Sequence, residues 1–570
     1  MQKKNSPKRA LSEPLSRRAF LRLTGLATGG LLLAACSPGE IAPPEEPAVE
    51  EPATPIPADD PTPDTTPVPD EELATPVPAD DPTPDAAPLP DEPRYGGRLR
   101  WGFTRMPEGF FDPALAVGMP MTFNKWVYEP LVHIDEEYAN IIPSLAVSWE
   151  AEEGGKAWVF DLRQDVRFHH GREFVADDVV HTFDRILDPD FGSPGRPVFS
   201  NIEKIEVLAT HTVRFHLDTP NADFPVSLAG AQALIVPHDL TDEEINSAPR
   251  GTGPFTIERY ANAERITFKR NDDYWQKGRP YLDELEAVCI PEATTLANAL
   301  QANEVDIMRE VSPMLASVLD GTEDVQLVFS PPINKEYIFM RLDREPFTDE
   351  RVRRAFKLIA DREAMTELVW SGQPVHIDDD NPVIPTSPMR VETDIWQQDL
   401  VEARRLLEEA GYGDGLEVDL WAINDVYGVM EFCLAFAEWA QQAGVTINVQ
   451  GLPADRFYAE KWLDVPLGTV SWGARTTVDE QLRIAYSSDA PWNDTGYQSS
   501  EFDDMLDEAL GEIDPKQRKD LYEEIQRKLI TEGGQIIHCH FPKAAGVRDN
   551  VHDYVFHPLG DLEPRDIWLS

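Results

Sequence analysis

Cysteine is scarce in this chain, which has four in 570 residues. Cys36, Cys289, Cys433 and Cys539 lie far apart, without the paired short spacings that indicate a zinc site. A complete disulfide framework is excluded, because modification of Cys36 would leave an odd number of thiols. We expect buried free thiols at the other three positions, and a single Cys289–Cys539 bridge is the alternative.

Basic residues are also few. Lys and Arg number 51 against 102 Asp and Glu, so the formal net charge is −51. This surplus repels the phosphates of nucleic acids and anionic lipid headgroups, and we expect neither as a partner of the folded part. Charge of this sign favours a soluble monomer but identifies no ligand.

The motifs of common enzymes are missing as well. No G-x-S-x-G, H-E-x-x-H or P-loop pattern occurs in the chain. Carboxylates are plentiful, but no spacing pairs them for acid–base catalysis. We therefore expect a protein that is not an enzyme and that carries no cofactor.

The apolar run Leu23–Ala35 is too short to cross a membrane. It has 13 residues, whereas a spanning helix needs about 20. Basic residues precede the run and small residues end it, which is typical of a signal peptide. We predict a signal peptide over residues 1–36, and an uncleaved apolar N-terminus is the alternative.

Two motifs specify what this leader does. "SRRAFLR" (16–22) resembles the twin-arginine export signal, with Arg17 and Arg18 as the pair. "LAAC" (33–36) resembles a bacterial lipobox, in which cleavage leaves a lipid-bearing Cys36 as the new N-terminus. We expect an exported protein that is anchored by this lipid to the outer face of the cytoplasmic membrane and touches the membrane nowhere else.

Residues 37–93 are rich in proline and acidic residues and contain no Lys or Arg. The stretch 53–73 is nearly repeated by 74–94, a period of 21 residues. With almost no large apolar side chains the segment cannot form a core. Proline and mutual charge repulsion favour an extended, polyproline-like chain, so we predict a disordered tether.

From Tyr95 onward, short strands and amphipathic helices alternate. Strands are predicted over 97–103, 211–217 and 264–271, where polar and apolar residues alternate. A helix capped by Thr348 is predicted over 348–365, and one with a capping box from Ser500 over 499–510. A third helix within 399–415 would end at Gly411 in the left-handed conformation. Such a mixture over this length indicates an α/β protein with at least two lobes.

The order of several motifs resembles a known family, the dipeptide/oligopeptide/nickel-type solute-binding proteins of ABC importers (family 5). The signature F-x-x-G-x-x-F-x-A-x-D-V is complete from Phe168 through Asp178 and Val179. The other matching stretches follow in the same order as in the family: "YGGRLRWGF" (95–103), "VYEPLVHID" (127–135), "GTGPF" (251–255), "RNDDYWQKGRPYLDEL" (270–285), "FTDERVRRAFKLIADRE" (347–363), "LLEEAGYGDG" (406–415) and "WNDTGYQSSEFDDMLDEAL" (492–510). The resemblance covers residues 95–565.

The resemblance implies a two-lobed periplasmic-binding-protein-like fold, of type II in its large three-subdomain variant. Lobe I would comprise 94–335 plus 536–570, with an inserted subdomain at about 132–249, and lobe II would comprise 336–535. Two crossing strands, at 336–342 and 535–541, would form the hinge. The protein would capture a peptide or similar solute between its lobes and deliver it to the transmembrane subunits of an ABC permease.

The resemblance also indicates where the ligand would lie. Peptide binders of this family hold the ligand's amino group with an aspartate that follows a tryptophan in a lobe II loop. Here "SWGARTTVDEQ" (471–481) has Trp472 in place, but Arg475 stands where the aspartate is expected. A guanidinium favours a carboxylate, so we hypothesise a ligand with an acidic end. Alternatively, Arg475 pairs with Asp479 and only braces the loop.

Further candidates for ligand contact are mostly aromatic. The aromatic candidates, each of which also suits a core position, are Phe110, Phe111, Trp421, Tyr427 and Trp492. The two smaller candidates are Gly473 and Asn493. The histidines of "FHHG" (168–171) and "HCH" (538–540) fit structural roles better than a metal site, and we predict none. Oligosaccharide or nickel-chelate cargo remains open, as does a surface lipoprotein that senses solute or binds a partner without transport.

Overall fold

A computed structural model describes residues 92–106, 111–117, 119–136, 139–261, 264–393, 396–557 and 564–570. The predicted signal peptide with Arg17, Arg18 and Cys36 lies outside these residues. So do all but the last two residues of the predicted tether, and Phe110. From Glu92 onward the chain forms one unit.

The strands are short and are numbered here in chain order. They are β1 Arg98–Phe103, β2 Val132–Ile134, β3 Ile141–Pro143, β4 Ala146–Glu152, β5 Ala157–Leu162, β6 Ile202–Ala209, β7 Thr212–Leu217, β8 Phe255–Ala261, β9 Arg265–Arg270, β10 Glu284–Cys289, β11 Ile307–Val311, β12 Val325–Phe329, β13 Lys335–Met340, β14 His376–Ile377, β15 Leu416–Ile423, β16 Val445–Leu452, β17 Leu467–Trp472, β18 Gln535–Ile537, β19 Cys539–His540, β20 Ala544–Arg548, β21 Val551–His552 and β22 Trp568–Leu569.

The α-helices alternate with these strands. They are α1 Met119–Val127, α2 Ala176–Leu187, α3 Arg196–Phe199, α4 Phe224–Ser227, α5 Asp242–Ser247, α6 Ala293–Gln301, α7 Pro313–Leu319, α8 Glu350–Ile359, α9 Arg362–Trp370, α10 Leu400–Glu409, α11 Val429–Gln442, α12 Ala454–Glu460, α13 Val478–Tyr486, α14 Ser500–Gly511 and α15 Pro515–Glu532. Short 3-10 turns cover Pro113–Leu115 and Glu153–Gly155. The predicted α/β fold class is confirmed.

Three sheets organise these elements. A seven-stranded sheet has the order β12-β20-β11-β1-β10-β9-β8, and a five-stranded sheet has the order β16-β15-β17-β13-β18. A four-stranded sheet, β4-β5-β7-β6, lies within the predicted insertion. The three strands predicted at 97–103, 211–217 and 264–271 are confirmed as β1, β7 and β9.

Strand β13 lies between β17 and β18 in the five-stranded sheet. All six of its residues are buried, which explains why it appears in the sequence as a nearly continuous apolar run rather than an alternation. Ile338 and Met340 pack into the core on one face, and Tyr337 and Phe339 pack into the core on the other. Lys335, at the start of the strand, shares the face of Tyr337 because side chains alternate along a strand.

The chain passes between the two larger sheets twice, and the two passages run side by side. One passage joins β12 to β13 and the other joins β19 to β20. Asn334 and Phe541 exchange backbone hydrogen bonds of 3.1 and 2.8 Å, and the Ser330 amide donates to the Lys543 carbonyl at 2.9 Å. On the side of the five-stranded sheet, the neighbouring strands β13 and β18 pair in antiparallel orientation. The extended runs predicted at 336–342 and 535–541 are therefore present and adjacent.

Two predicted helix starts are wrong by one residue. Asp349, rather than Thr348, caps α8 by accepting from the Arg351 amide at 2.9 Å, and Ser499, rather than Ser500, caps α14. The predicted helix 348–365 is also two helices, because Asp361 begins a new one by accepting from the Ala364 amide. Gly411 follows α10 with a φ of 98°, the positive value predicted for it.

Several of the sequence motifs meet around one buried carboxylate. Glu129, from "VYEPL", accepts hydrogen bonds from Thr252 Oγ1 at 2.8 Å, Tyr274 Oη at 2.7 Å and Trp275 Nε1 at 2.8 Å. Burial raises the pKa of Glu129, and these three donors oppose that rise. The motifs "GTGPF" and "DDYW" thus meet at one buried carboxylate and help to hold the fold together.

The signature aspartate has a comparable structural role. Asp178 is fully buried and accepts from the amides of Val175 and His238, both at 2.9 Å. Its carboxylate also forms an ion pair with Arg172. The signature therefore fixes the turn before α2.

Among the described residues Cys289, Cys433 and Cys539 are free thiols, so the alternative Cys289–Cys539 bridge is wrong. Cys433 and Cys539 are buried as predicted, but Cys289 is only half-buried. Within the described part of the chain, no helix has both the length and the apolar character needed to cross a bilayer.

Candidate functional site

The ends of β13 and β17 bring together the side chains that define the site. Lys335 and Trp472 are directly opposite each other in this antiparallel pair, and such partners project to the same face of the sheet. Trp472 is 5% exposed. Its Nε1 donates to Asp494 Oδ2 at 3.1 Å, and the Tyr337 hydroxyl donates to the same oxygen at 3.0 Å.

Asp494 is a fully buried carboxyl at the centre of this cluster. Burial raises its pKa to about 7, against the opposing hydrogen bonds from Trp472 and Tyr337. Its other oxygen, Oδ1, has no hydrogen-bond partner among the described residues. Asp494 therefore titrates near neutral pH and retains one oxygen for a further donor.

Arg475 lies beside two aromatic rings. Its guanidinium carbon is 5.1 Å from the ring centre of Trp472 and 5.6 Å from that of Trp492, distances at which a cation is attracted to a π face. The two rings pack edge to face at 5.8 Å. Arg475 Nη1 also donates to the carbonyl of Ala474 at 3.2 Å and to that of Gly473 at 3.4 Å. These contacts orient the guanidinium within the loop after β17.

Lys335 is the second cation of the site. It is fully buried, and its Nζ has no hydrogen-bond partner among the described residues. Burial, followed by the nearby charge of Arg475, lowers its pKa to about 7, and Asp378 and Asp494 oppose that change. We call Lys335, Arg475, Trp472, Trp492 and Asp494 the Trp472 cluster.

A cavity of about 130 Å³ opens beside Arg475. Its walls come from distant parts of the chain, with the predicted insertion on one side and the segment 383–389 together with helices α13 and α15 and their loops on the other. The lining residues that matter most here are Asp223, Val226, Arg475, Gln481, Arg518 and Tyr522. The cavity thus lies between two regions of the sequence, as a ligand cleft would.

The loop candidates Asp479 and Asn493 have structural partners. Asp479 makes its salt bridge with Arg483, which donates to its two oxygens at 3.1 and 3.0 Å. The brace predicted between Arg475 and Asp479 is therefore supplied by Arg483. The Asn493 amide donates to the Tyr497 carbonyl at 2.7 Å and accepts from the Tyr497 amide at 3.0 Å, so it fixes the loop that carries Asp494.

Three aromatic candidates make their contacts in other surroundings. Phe111 is buried in the core beside the seven-stranded sheet, with its ring 5.2 Å from that of Tyr260. The Trp421 ring lies 3.7 Å below the ammonium of Lys461. Tyr427 is 48% exposed and packs edge-on against Trp370.

The histidines of both clusters make contacts within the fold. His169 Nε2 lies 2.9 Å from the Gly253 carbonyl, and His540 Nδ1 lies 2.8 Å from Asp378. Burial lowers the pKa of His540 to about 4. No group of three or more potential metal ligands occurs among the described residues.

Sequence reasoning missed Lys335 and Asp494. Both carried a signal, since a lysine beside an apolar strand and an aspartate between "WN" and "TGY" are polar residues in segments that become buried. It also missed Asp223 and Arg518. These two are 295 positions apart, and no local pattern connects them.

The sequence of the central region matches a defined family. Residues 140–494 match the middle region of the bacterial extracellular solute-binding proteins, family 5. The heme-binding protein A of Haemophilus influenzae is 31% identical over 494 residues, which cover 80% of this chain and 89% of that protein. The dipeptide-binding protein of Escherichia coli is 27% identical over 494 residues, which cover 80% of this chain and 91% of that protein.

Solved structures share the fold. HbpA2 of Haemophilus parasuis superposes with a TM-score of 0.75 at 21% identity, covering 83% of this chain and all of that one. The periplasmic binding protein DppA of Helicobacter pylori, solved with the peptide STSA, gives 0.66 at 24% identity and covers 84% and 98%. At these identities the likeness establishes the fold and not the ligand.

Proposed function

The chain belongs to the bacterial extracellular solute-binding proteins, family 5, and from this membership we propose that it captures a peptide or similar small solute for the permease of an ABC importer. Relatives named for dipeptides, di- and tripeptides and glutathione support a peptide-like cargo. The role is that of a receptor and not of an enzyme.

The proposed lobes follow the sheets. Lobe I contains the seven-stranded sheet and the insertion and comprises about 94–335 plus 536–570. Lobe II contains most of the five-stranded sheet and comprises about 336–535. The hinge is proposed at the two adjacent runs 336–342 and 535–541, next to the point where Asn334 is held against Phe541, since two short adjacent connections let two rigid bodies rotate with little change elsewhere.

One observation supports a ligand cleft between these lobes more than any other. The cavity beside Arg475 has Asp223 and Val226 on its lobe I side and Gln481 and Tyr522 on its lobe II side. At about 130 Å³ it is smaller than the roughly 300 Å³ or more that drug-sized ligands occupy. We therefore expect the lobes to part when a peptide enters.

Arg475 is the proposed contact for an acidic group of the ligand. Its planar guanidinium can bind a carboxylate through two parallel hydrogen bonds, and it is already oriented by the rings of Trp472 and Trp492. This would replace the amino-group anchor that the family resemblance places in the same loop.

Calorimetry with Arg475→Ala tests this contact. The titrants are dialanine, trialanine and glutathione, and Arg405→Ala on the exposed face of α10 is the matched control, with its side chain 51% exposed. Loss of one charge-assisted contact should weaken binding about tenfold to a hundredfold, while the control stays at wild-type affinity. Unchanged affinity for every solute that wild type binds would remove Arg475 from the site.

Export and anchoring belong to the same proposal. The motifs around Arg17, Arg18 and Cys36 support secretion, cleavage before Cys36 and attachment of a diacylglyceryl group to its thiol. Mass spectrometry of the protein from membranes should find a diacylated N-terminal peptide, and Cys36→Ser should appear in the soluble fraction. Recovery of Cys36→Ser in the membrane fraction at the wild-type level would exclude the anchor.

Uptake measurements separate transport from sensing. A strain that lacks this protein should lose import of the bound solute, and the gene should restore it. If import is unchanged while transcription of transport genes no longer responds to the solute, the sensing alternative replaces the transport role.

A further inference from the structure

We infer that Lys335 binds a carboxylate of the ligand together with Arg475, so that the receptor selects small solutes with an acidic end. This inference rests on the proposed function, whose site it specifies. Nothing in the family motifs points to Lys335, and it follows from the position of this residue in the structure.

Register places Lys335 at the site. It faces Trp472 across the β13–β17 pair, on the same side of the sheet as Tyr337, whose hydroxyl donates to Asp494 at 3.0 Å. The residue before it, Asn334, belongs to the paired passages between the sheets. Lys335 therefore lies next to the paired passages where the two proposed lobes meet, on the face of the sheet that carries Trp472.

Burial of an ammonium without a partner is costly, and neither carboxylate near Lys335 is hydrogen-bonded to its Nζ. Asp494 Oδ2 accepts from Trp472 and Tyr337. Asp378 accepts from Arg390 Nη2 at 2.9 Å, and His540 Nδ1 lies 2.8 Å from the same carboxylate oxygen. Arg475 and Arg390 add positive charge and lower the pKa of Lys335.

An apolar residue would suit this position better if stability were all that mattered. The next residues on the same face of β13, Tyr337 and Phe339, pack into the core with Trp472 and Val470. A fully buried lysine stands at the end of that row, and no side chain of the described residues hydrogen-bonds to its Nζ. A ligand carboxylate would supply that partner to Lys335 beside the guanidinium of Arg475, and Asp494 Oδ1 could accept from a donor on the same ligand.

Binding should therefore depend on protonation. The groups that act on Lys335 are Arg475 from the loop after β17, Asp494 from the loop before α14, Asp378 and Arg390 from the segment after β14, and His540 from β19. A bound carboxylate stabilises the ammonium and raises its pKa. Binding above pH 7 should then take up a proton, and affinity should fall as the pH rises from 7 to 9.

The experiment compares acidic solutes with neutral counterparts of the same shape. Wild type, Lys335→Met and Lys335→Gln are titrated by calorimetry with trialanine, trialanine amide, glutathione, succinate, succinamide and inorganic phosphate. Lys519→Met, on the exposed face of α15, is the matched control. Repeating the titrations in buffers of different ionisation enthalpy measures the protons taken up.

The expected result has three parts. Wild type and Lys519→Met bind at least one carboxylate at least tenfold more tightly than its amide. Both Lys335 variants lose this preference while their circular dichroism spectra stay at wild type. Proton uptake at pH 8 is present in wild type and absent in the variants.

Other results overturn the inference. Equal binding of acid and amide, a preference that survives in both Lys335 variants, or binding of phosphate in place of carboxylates would remove the assigned role but leave a solute receptor. Failure of every solute in the panel to bind wild type would overturn the peptide-receptor proposal as well.

Discussion

Arg518 donates from Nη1 to Asp223 Oδ1 at 3.2 Å, and this ion pair joins segments that are 295 positions apart in the chain. Asp223 precedes α4 in the insertion, and Arg518 lies in the first turns of α15. The neighbouring Ala222 amide donates to the Leu510 carbonyl at 2.8 Å. These contacts join the two regions at one side of the cavity.

We expect Arg518→Met to favour an open arrangement. At pH 7.5 Asp223 is ionised, because its pKa, raised by burial and lowered again by Arg518, is about 6. Removing its partner leaves a buried carboxylate unpaired, which should cost the closed form roughly 1–3 kcal/mol, given that the pair is partly exposed. Small-angle scattering should show a larger radius of gyration than wild type.

The double variant Asp223→Asn/Arg518→Met provides the internal control. It leaves no unpaired charge, so its radius of gyration should return toward wild type. Arg405→Met, which breaks exposed pairs on α10, should change nothing measurable. A scattering curve for Arg518→Met that matches wild type would show that the pair does not hold the cleft closed.

Lys335→Met should make the ligand-free protein more stable, and the gain should depend on pH. The lysine has a pKa of 10.5 when exposed and about 7 here, so the unfolded state binds the extra proton between these values. The contribution of Lys335 to the free energy of unfolding of the wild type is therefore lowest below pH 7 and rises toward pH 10.5. Urea unfolding should show a gain of roughly 1–4 kcal/mol at pH 6.5 that becomes small at pH 10. A loss of stability at pH 6.5 would contradict this.

Asp494→Asn should flatten the stability profile on the acidic side. The pKa of Asp494 is raised from 3.8 to about 7, chiefly by burial, so the folded state binds more protons between these values. Wild-type stability consequently falls as the pH rises from about 4 to 7, by at most about 1.4 kcal/mol per pH unit for this residue. The variant lacks this part of the slope and keeps the parts due to Glu336 and Asp223, whose pKa values are also raised.

Thermal melts of wild type and Asp494→Asn from pH 4 to 8 would measure this difference. The amide introduced by the substitution still offers a carbonyl oxygen to Trp472 Nε1 and the Tyr337 hydroxyl, so the fold should persist. Parallel pH profiles for wild type and variant would mean that Asp494 is ionised throughout this range.

Gly251→Ala should destabilise the fold strongly. A Cβ at Gly251 would lie 1.9 Å from the Val127 carbonyl oxygen, and backbone atoms cannot yield as a flexible side chain would. Overpacking of this kind costs about 1–3 kcal/mol or more. Gly413→Ala is the control, because its nearest contact would be an ordinary 3.6 Å to Glu408 Cγ. Equal melting temperatures for the two variants would argue against this explanation of the "GTGPF" motif.

Local patterns predicted the elements better than the contacts between them. The alternation in 97–103 and 211–217 identified β1 and β7, and Gly411 marked the end of α10. The continuous helix predicted over 348–365 is interrupted at Ala360 and Asp361. Asp361 caps a new helix there, although the apolar stripe continues through this point. Periodicity measures which face is buried and does not show where a cap interrupts the backbone.

The site was predictable only in part, for a related reason. Trp472 and Arg475 share a loop, so a family pattern could identify them. Lys335 reaches the same place through strand pairing with Trp472, and Asp494 reaches it through a hydrogen bond to the indole. The alternative pairing of Asp479 with Arg475 is not found, because the helical spacing of four residues places Arg483 beside Asp479.

The seven-stranded sheet places β20 between β11 and β12. β11 and β12 come from 307–329, whereas β20 ends at Arg548. More than two hundred further residues must therefore be synthesised before β20 can pair with β11 and β12. Through that interval their facing edges offer unpaired backbone groups to any other extended chain. Loop closure over this separation is slow compared with the formation of local hairpins such as β8–β9. Strand β20 is thus the last strand to join this sheet, and a chain truncated before residue 544 would leave the facing edges of β11 and β12 unpaired and open to aggregation.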